Sequence, residues 1–379
     1  MPLLGGSPSL LGSTVSMGQP QPGLEPFLRE HVDHYWFYGS GKVALRDGLA
    51  GLVAAGDEVL VPAYVPDALV EAFADLDLDV EFYAIEETLG PDLTDLASRV
   101  TERTAAIVTV NYFGFPAPDL SAVAEIAARR GCLHVEDSAH AALSVHDGTL
   151  LGTTGDLGFA SLHKLLPIPN GACLYASEGV ADALEPSRYA GVREAMDATD
   201  ARYAVRSLAA GVANRHPATR RVADAVLTNG EDSAVRDATA RYEASKARLS
   251  KLAARVLDRI DPTAIRETRR ENYRAWRRGL EGAAGVEWVF DGLDDGLCPS
   301  AMPVVAERPG AVLRALSAAG VRGAQTWPRL PVPVRSDPDY GTARRLAGTL
   351  LVLPVHQDLT PAAIEAVCER LRERVATIQ

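Results

Sequence analysis

Hydrophobic and polar positions follow a regular order from about residue 40, where short apolar runs are followed by segments of helical spacing. The apolar runs predict strands at Val59–Pro62, Val80–Ile85, Ala105–Tyr112, Cys132–Val135, Leu157–Leu162 and Ala172–Ala176. The segments between the runs predict helices at Gly41–Leu52, Asp67–Leu76, Leu93–Val100 and Leu120–Arg130. Strands and helices that alternate with short turns predict an α/β fold, with a mostly parallel central sheet and helices on both faces.

The pattern changes after Gly179. Residues 180–280 are rich in Ala, Arg, Glu and Leu at helical spacing, and mixed structure returns from about Gly285. The last part predicts strands at Val286–Phe290 and Met302–Ala306, and helices at Pro309–Ala319 and from Thr360 to about Thr377. We therefore predict a large domain over residues 27–255, with a divergent helical insertion at 180–245, and a smaller C-terminal α/β domain over residues 256–379.

Composition narrows the class of protein. The chain has 379 residues, 47% of them hydrophobic and 23% charged, which is typical of a soluble protein of two domains. A net charge of -12 and the lack of a long basic block argue against nucleic-acid binding. Four scattered cysteines without a Cys-x-x-Cys motif indicate reduced thiols and a cytoplasmic location.

The first 26 residues are rich in Gly, Ser, Pro and Leu and lack the basic start and continuous apolar core of a signal peptide. We predict a flexible arm over residues 1–26. No apolar run approaches the length of a membrane span, so no membrane partner is expected.

The segment Val135–His140 ends an apolar strand in two carboxylates, Glu136 and Asp137. Ligands of parallel sheets bind beyond the carboxyl ends of the strands, and a carboxylate buried there needs a partner. A protonated pyridine nitrogen is such a partner. The alternative, that Asp137 caps the next helix, is equally compatible with this motif alone.

Lys164 follows the next strand, with Leu162, Leu165 and Leu166 around it. A partly desolvated lysine can lose its charge and become a nucleophile for aldehydes. The alternative is a lysine that reaches solvent from a loop. The spacing of 27 residues from Asp137, across one strand and loop, favours the nucleophile.

Gly39–Val43 is a turn of small residues that opens a helix, where free backbone N–H groups can bind phosphate. It is not a Walker A loop, because Val43 stands where Ser or Thr would bind magnesium, and it is not a dinucleotide fingerprint. His31 and His34 share a helix face without a third ligand, so no metal site is expected. We expect Trp36, Phe37 and Tyr38 to anchor the first helix.

These pieces, in this order, resemble the pyridoxal 5'-phosphate (PLP)-dependent sugar aminotransferases of the DegT and StrS type, which have the fold-type I architecture. The resemblance covers most of the chain from about residue 39. It is carried by the segments Gly56–Tyr64, Arg103–Ile107, Tyr112–Gly114, Glu136–Ala141, Gly155–Gly158, Arg269–Tyr273 and Leu353–Thr360.

The resemblance implies that residues 27–255 bind PLP and that the chain forms a homodimer with shared active sites. Lys164 would hold PLP as a Schiff base and shuttle a proton, and Asp137 would keep the pyridine nitrogen protonated. His140 would lie near the phenolic oxygen of the ring. The other implied contacts are Gly41, Lys42, Val43 and Ser161 at the phosphate, and Lys246 at the phosphate of the neighbouring subunit. Stacking on the ring either falls to Tyr64 or is absent.

The resemblance further implies transfer of an amino group from Glu or Gln to a keto-sugar nucleotide or related keto metabolite, in secondary-metabolite or polysaccharide biosynthesis. Two alternatives remain open: a PLP-dependent lyase, decarboxylase or retro-aldol enzyme acting on an amino acid, and an inactive regulatory paralogue. The chain departs from the family pattern near the substrate side. The loop from Ser161 to Lys164 is shorter, Pro167–Gly171 replaces a Gly-rich stretch, and Pro66 stands where the stacking aromatic is usual.

Overall fold

A computed structural model of the chain describes residues 4–11, 21–215 and 238–376. Its strands are β1 (Tyr35–Tyr38), β2 (Glu58–Pro62), β3 (Asp79–Tyr83), β4 (Thr104–Val110), β5 (Leu133–Asp137), β6 (Val145–His146), β7 (Thr149–Leu150), β8 (Leu157–Ala160), β9 (Ala172–Ala176), β10 (Val286–Trp288), β11 (Ala301–Ala306), β12 (Gln325–Thr326) and β13 (Leu350–Pro354). Its helices are α1 (Leu24–His31), α2 (Gly41–Leu49), α3 (Val70–Ala74), α4 (Leu93–Arg99), α5 (Leu120–Arg130), α6 (Glu178–Ala181), α7 (Ala198–Arg215), α8 (Ala238–Ser245), α9 (Lys251–Leu257), α10 (Pro262–Leu280), α11 (Pro309–Ala319), α12 (Val332–Ser336), α13 (Gly341–Thr349) and α14 (Pro361–Ala376).

The central sheet has the strand order β1-β9-β8-β5-β4-β2-β3. The five strands from β3 to β8 in this order run parallel, whereas β9 is antiparallel to both β8 and β1. Strands β2 and β8 are buried along their whole length, as expected where helices cover both faces of a sheet. The predicted α/β fold with a mostly parallel sheet is therefore confirmed.

The edge strand β1 was not expected from the pattern, which predicts that Trp36, Phe37 and Tyr38 anchor the first helix. They instead pair in register with Leu174, Cys173 and Ala172 of β9. A run of aromatic residues has a high preference for the extended conformation, and pairing with β9 satisfies its backbone groups. These residues therefore form an edge strand, and Phe37 packs against the core cluster that contains Leu24 and Leu28 of α1, in agreement with an anchoring role.

The C-terminal part of the chain forms a smaller antiparallel sheet in the order β10-β11-β13-β12. Helix α10 packs against α14 and places Tyr273 and Trp276 in the core, where both are almost completely buried. The indole N–H of Trp276 donates to the carbonyl of Pro354, at a distance of 2.8 Å, at the end of β13. A smaller α/β unit is thus present, while its limit near residue 255 remains a prediction.

The described N-terminal residues pack against this C-terminal unit. Leu4 is buried and bridges to Val321. Ser9 binds the carboxylate of Asp358 through both its backbone N–H and its hydroxyl, at 2.7 and 2.8 Å. Residues 4–11 are therefore held by specific contacts where the sequence predicts a flexible arm over residues 1–26. Residues 12–20 lie outside the described part of the chain.

The region predicted as a helical insertion, residues 180–245, contains α7 and α8 in its described part. The hydroxyl of Ser207 in α7 accepts a hydrogen bond from the backbone N–H of Leu10 at 2.9 Å. Helix α7 thus contacts the N-terminal segment. Residues 216–237 of this region lie outside the described residues, and the assignment of residues 180–245 as an insertion remains a prediction.

Within the described residues, no helix has the length and apolar character needed to cross a membrane. The same residues bring together no group of three His, Cys, Asp or Glu side chains that could hold a metal ion. The four cysteines are buried free thiols.

Glu136 ties β5 to the loop that precedes β8. Its carboxylate is fully buried and accepts hydrogen bonds from the backbone N–H groups of Thr154, Gly155 and Gly152 at 2.6, 2.8 and 3.2 Å. The side-chain amide of Asn111 donates a fourth, at 3.0 Å. Because a buried carboxylate is tolerated only where donors replace water, Glu136 has a structural role.

We expect Glu136→Gln to lower the free energy of unfolding by about 1–3 kcal/mol, because one acceptor oxygen becomes an N–H donor facing other donors. Urea unfolding monitored by circular dichroism measures this change. Glu81→Gln on the exposed side of β3 is the control and is expected to stay within about 0.5 kcal/mol of the parent chain. Equal effects of the two substitutions would contradict the structural role of Glu136.

Candidate functional site

Two neighbouring parallel strands deliver the central residues of the site. Asp137 is the last residue of β5, and it pairs in register with Phe159 of β8. Lys164 lies in the short 3₁₀ turn Leu162–Lys164 that follows β8. The sequence-predicted Asp137 and Lys164 therefore leave the sheet side by side at its carboxyl edge.

Lys164 is exposed to solvent, while the flanking Leu162, Leu165 and Leu166 are buried. The protein around the amine desolvates it and lowers its pKa, whereas the charge of Asp137 acts in the opposite direction and that of Lys42 adds to the lowering. Exposure in a turn after a strand agrees with a reactive amine and with a lysine that reaches solvent from a loop, so the structure leaves both interpretations open.

Asp137 is 7% exposed, and its Oδ1 accepts a hydrogen bond from the backbone N–H of Ala139 at 2.9 Å. Burial raises the pKa of this carboxyl, and the charge of Lys164 opposes the shift. The capping alternative is partly right, because the bond to Ala139 lies within the turn that Ala141 closes onto the carbonyl of Ser138. No helix begins there, so one carboxylate oxygen is not used for capping.

The start of helix α2 forms a cradle beside this pair. A Cβ atom on Gly41 would lie 2.7 Å from the hydroxyl oxygen of Ser161 and 3.0 Å from the ring of Phe159, so a larger residue would require these side chains to shift. Ser40 precedes the helix and makes no side-chain capping bond to it. The first-turn N–H groups of Gly41, Lys42 and Val43 and the positive end of the helix dipole are suited to an anion such as phosphate.

His140 lies on the other side of the cleft. Its ring stacks on Phe113, with centroids 5.5 Å apart, and meets the edge of Trp327 at 5.1 Å. Its Nδ1 is buried without a hydrogen-bond partner in the described structure. Burial, and then the charge of Lys164, hold the pKa of His140 well below the usual value. The imidazole is therefore neutral and offers one free ring nitrogen.

Tyr64 requires a correction. Its side chain is fully buried, its hydroxyl donates to the carbonyl of Trp327 at 2.5 Å, and its ring packs against Tyr112 and Trp327. Because these contacts enclose the ring, it has no free face for stacking on a cofactor. Trp327, which closes this aromatic cluster, was missed by the sequence analysis because no local pattern links it to the strand ends.

Lys246 lies beside Lys42, and both ammonium groups lie over the ring of Tyr242, at 4.8 and 5.2 Å from its centroid. Lys246 pairs with Asp75 at 3.0 Å and with Glu243 at 2.6 Å in the same chain. Within one chain its charge is thus already engaged. The predicted contact of Lys246 with a neighbouring subunit's phosphate remains a prediction.

His163 is a further cleft residue that the sequence analysis missed. Its Nδ1–H donates to the carbonyl of Gly171 at 3.2 Å, which fixes the ring and leaves Nε2 unprotonated. Burial and the charge of Lys164 lower its pKa. Its position directly before Lys164 was the available signal.

The family model for the DegT/DnrJ/EryC1/StrS aminotransferase family matches residues 12–372. A curated dTDP-4-dehydro-2,3,6-trideoxy-D-glucose 4-aminotransferase from Saccharopolyspora spinosa is 30% identical over 168 residues, covering 41% of this chain and 43% of the relative. A dTDP-3-amino-3,4,6-trideoxy-alpha-D-glucose transaminase from Streptomyces venezuelae is 35% identical over 151 residues, covering 38% and 39%. The chain thus matches less than half the length of each of these relatives.

Solved structures agree in fold over a larger share of the chain. Helicobacter pylori PseC, an aminotransferase involved in the biosynthesis of pseudoaminic acid, has a TM-score of 0.69 at 14% identity, with both chains covered to 100%. DesV from S. venezuelae, solved in complex with a ketimine intermediate, has a TM-score of 0.66 at 21% identity, covering 96% of this chain and 91% of its own.

These likenesses confirm the predicted fold-type I architecture. Since the family model extends over nearly the whole chain, the predicted resemblance is confirmed as well, and the chain belongs to the DegT/DnrJ/EryC1/StrS aminotransferase family.

Proposed function

We propose that the chain is a PLP-dependent aminotransferase that moves an amino group from glutamate or glutamine to a keto-sugar nucleotide or a related keto metabolite. The observation that carries the proposal is the placement of Asp137 and Lys164 after two neighbouring parallel strands, at the carboxyl edge of the sheet. The names of the relatives support the sugar substrate class and a biosynthetic role. A cytoplasmic homodimer with shared sites, in which Lys246 reaches the partner's phosphate, is part of the proposal.

The donor set suits PLP. Gly41 leaves the space in which the Ser161 hydroxyl and the first turn of α2 can surround a phosphate. The unpartnered Nδ1 of His140 can bind a polar atom of the ring, and the free oxygen of Asp137 can bind a protonated nitrogen. When bound, PLP supplies an aldehyde that condenses with amines and a ring that accepts electrons.

Two residues of the chain would supply the nucleophile, the proton transfer and the stabilisation of charge. Lys164 Nζ is the nucleophile, because desolvation increases the fraction of neutral amine at neutral pH. The same atom is placed to take up and return a proton within the cleft. Asp137 holds a positive charge at the buried end of the site, where water is excluded.

We expect added PLP to give the purified chain a visible absorption band, and borohydride to fix the cofactor on Lys164, as measured by peptide mapping. Lys164→Ala should lose both the band and the label. Lys251→Ala in α9 is the matched control and should keep both. A parent chain that shows no labelled Lys164 after reduction would rule out the proposed anchor.

The amino donor then separates transamination from other PLP chemistry. Glutamate or glutamine should convert the bound cofactor to pyridoxamine 5'-phosphate, as measured by chromatography of the released cofactor. An amino acid that loses carbon dioxide or a side-chain fragment while PLP is retained would favour the lyase alternative. A labelled Lys164 with no conversion of any amine would favour the regulatory alternative.

Asp137→Asn should reduce kcat by about 100-fold, which is about 2.7 kcal/mol of activation free energy, because a neutral amide cannot hold the positive charge. The amide oxygen can still accept the bond from Ala139, so the fold should persist. Asp147→Asn, at a side chain 93% exposed, is the control and should leave kcat unchanged. A kcat for Asp137→Asn close to that of the control would contradict the role of this carboxylate.

The pKa of His140 is depressed in the folded chain, so the unfolded chain binds a proton that the folded chain excludes. Stability due to this group is present above the unfolded pKa of about 6.5 and is lost as the pH falls. Between about pH 7.5 and pH 5.5 the loss is about 1.4 kcal/mol of unfolding free energy.

His140→Gln should abolish that part of the acid destabilisation, as measured by urea unfolding without PLP at both pH values. The quantity compared is the difference between the two pH values, so the loss of ring packing cancels. His34→Gln, just before β1, controls for the change of residue type. An unchanged pH difference in His140→Gln would mean that His140 is protonated in the folded chain.

A further inference from the structure

The carbonyl of Leu165, the residue directly after Lys164, accepts two side-chain hydrogen bonds from the C-terminal unit. Arg269 Nη2 lies 2.7 Å and Gln357 Nε2 lies 3.0 Å from this oxygen. The two donors also bind each other, because Arg269 Nε donates to Gln357 Oε1 at 3.0 Å. The segment that carries Lys164 is therefore fastened to helix α10 and to the loop after β13.

The local sequence explains why this carbonyl needs outside donors. Pro167 and Pro169 have no N–H, so the 3₁₀ turn that holds Lys164 cannot continue into a helix. The intervening N–H, that of Ile168, donates to the carbonyl of Leu166 at 2.9 Å. Leu165 itself is completely buried, and a buried carbonyl without a donor is destabilising.

Arg269 is a buried cation, 1% exposed, that contacts no carboxylate in the part of the chain that the structure describes. Its Nη1 donates to the carbonyls of Pro299 and Ser300, at 3.1 and 3.4 Å. Burying a guanidinium is tolerated only where its donors are satisfied. The carbonyl of Leu165 is thus one of the dipoles that hold Arg269, and Arg269 in turn fixes Leu165.

We propose that Arg269 and Gln357 are positioning residues for Lys164. By holding the Leu165 carbonyl, they fix the turn that carries Lys164 next to the end of β5, where Asp137 lies. The inference deepens the proposed function and rests on Lys164 as the reactive amine, but it concerns the placement of the amine in the protein alone. It makes Arg269 and Gln357 of the C-terminal unit contributors to the active site through the Leu165 carbonyl.

Two variants test the inference without removing bulk. Gln357→Met keeps the length of the side chain and adds no charge, but it has no N–H for Leu165 and no oxygen for Arg269 Nε. Arg269→Lys keeps a cation and loses the forked geometry. The matched control is Trp276→Phe, which removes a side-chain N–H bond from the same helix to a different carbonyl, that of Pro354.

The readout is the pH dependence of Lys164 acetylation by acetic anhydride in the cofactor-free chain, followed by mass spectrometry. The charged and titratable groups facing Lys164 are Asp137 on β5, Lys42 on α2, and the nearby His140 and His163, none of which is altered. Release of Lys164 toward solvent should raise the midpoint by about one pH unit and slow acetylation near neutral pH about tenfold. Trp276→Phe should leave both quantities unchanged.

The same variants should shift the pH titration of the visible band in the PLP-loaded chain. If both Gln357→Met and Arg269→Lys fold and acetylate Lys164 as the parent does, the inference is wrong. An equal shift in Trp276→Phe would also overturn it, because general destabilisation would then explain the effect. If PLP never labels Lys164 in the parent chain, the proposed function fails, while the acetylation comparison still decides the role of Arg269 and Gln357.

Discussion

An amine and a carboxylate follow two neighbouring parallel strands, Lys164 after β8 and Asp137 at the end of β5. Desolvation alone lowers the pKa of Lys164 and raises that of Asp137, which would favour the neutral form of each. The attraction between the two charges opposes both pKa shifts, so each group favours the charged form of the other. Because β5 and β8 are parallel neighbours, their register decides that the two chain segments emerge together. The cradle at α2, the neutral His140 and the small C-terminal unit are all arranged around this pair.

Two consecutive carboxylates serve opposite purposes at the end of β5. Successive side chains of a strand point to opposite sides, so Glu136 and Asp137 cannot enter the same environment. Glu136 is satisfied by three backbone N–H groups and Asn111, which stabilises the loop before β8. Asp137 receives a single backbone bond from Ala139 and retains an oxygen for a ligand. Because the hydrogen-bonding capacity of the Glu136 carboxylate is used within the fold, Glu136 has a structural role. Asp137 keeps a carboxylate oxygen without a partner among the described residues, so it is suited to bind a ligand.

The sequence predicts the parts of the structure that depend on local patterns. Apolar runs locate the buried strands of the central sheet, and Asp137 and Lys164 are found because they follow two of those strands. Contacts between distant segments leave no such signal. Tyr64 follows a strand as well, and its position in the sequence therefore predicts a site residue. Trp327 of the C-terminal unit encloses its side chain, so Tyr64 cannot stack on a cofactor. Leu4 and Ser9 lie in a segment of flexible composition and are nevertheless held by Val321 and Asp358.

The stiff segment Pro167–Ile168–Pro169 explains why long-range contacts matter most next to the reactive lysine. A glycine-rich stretch could satisfy its own backbone by turning, whereas prolines remove the N–H groups that would do so. The Leu165 carbonyl is therefore bound by Arg269 and Gln357, which are 104 and 192 residues away in sequence. Contacts of that separation form only when the C-terminal unit has folded and docked. The position of Lys164 therefore depends on two parts of the chain. Strand β8 places the lysine at the edge of the sheet, and the C-terminal unit holds the residue that follows it.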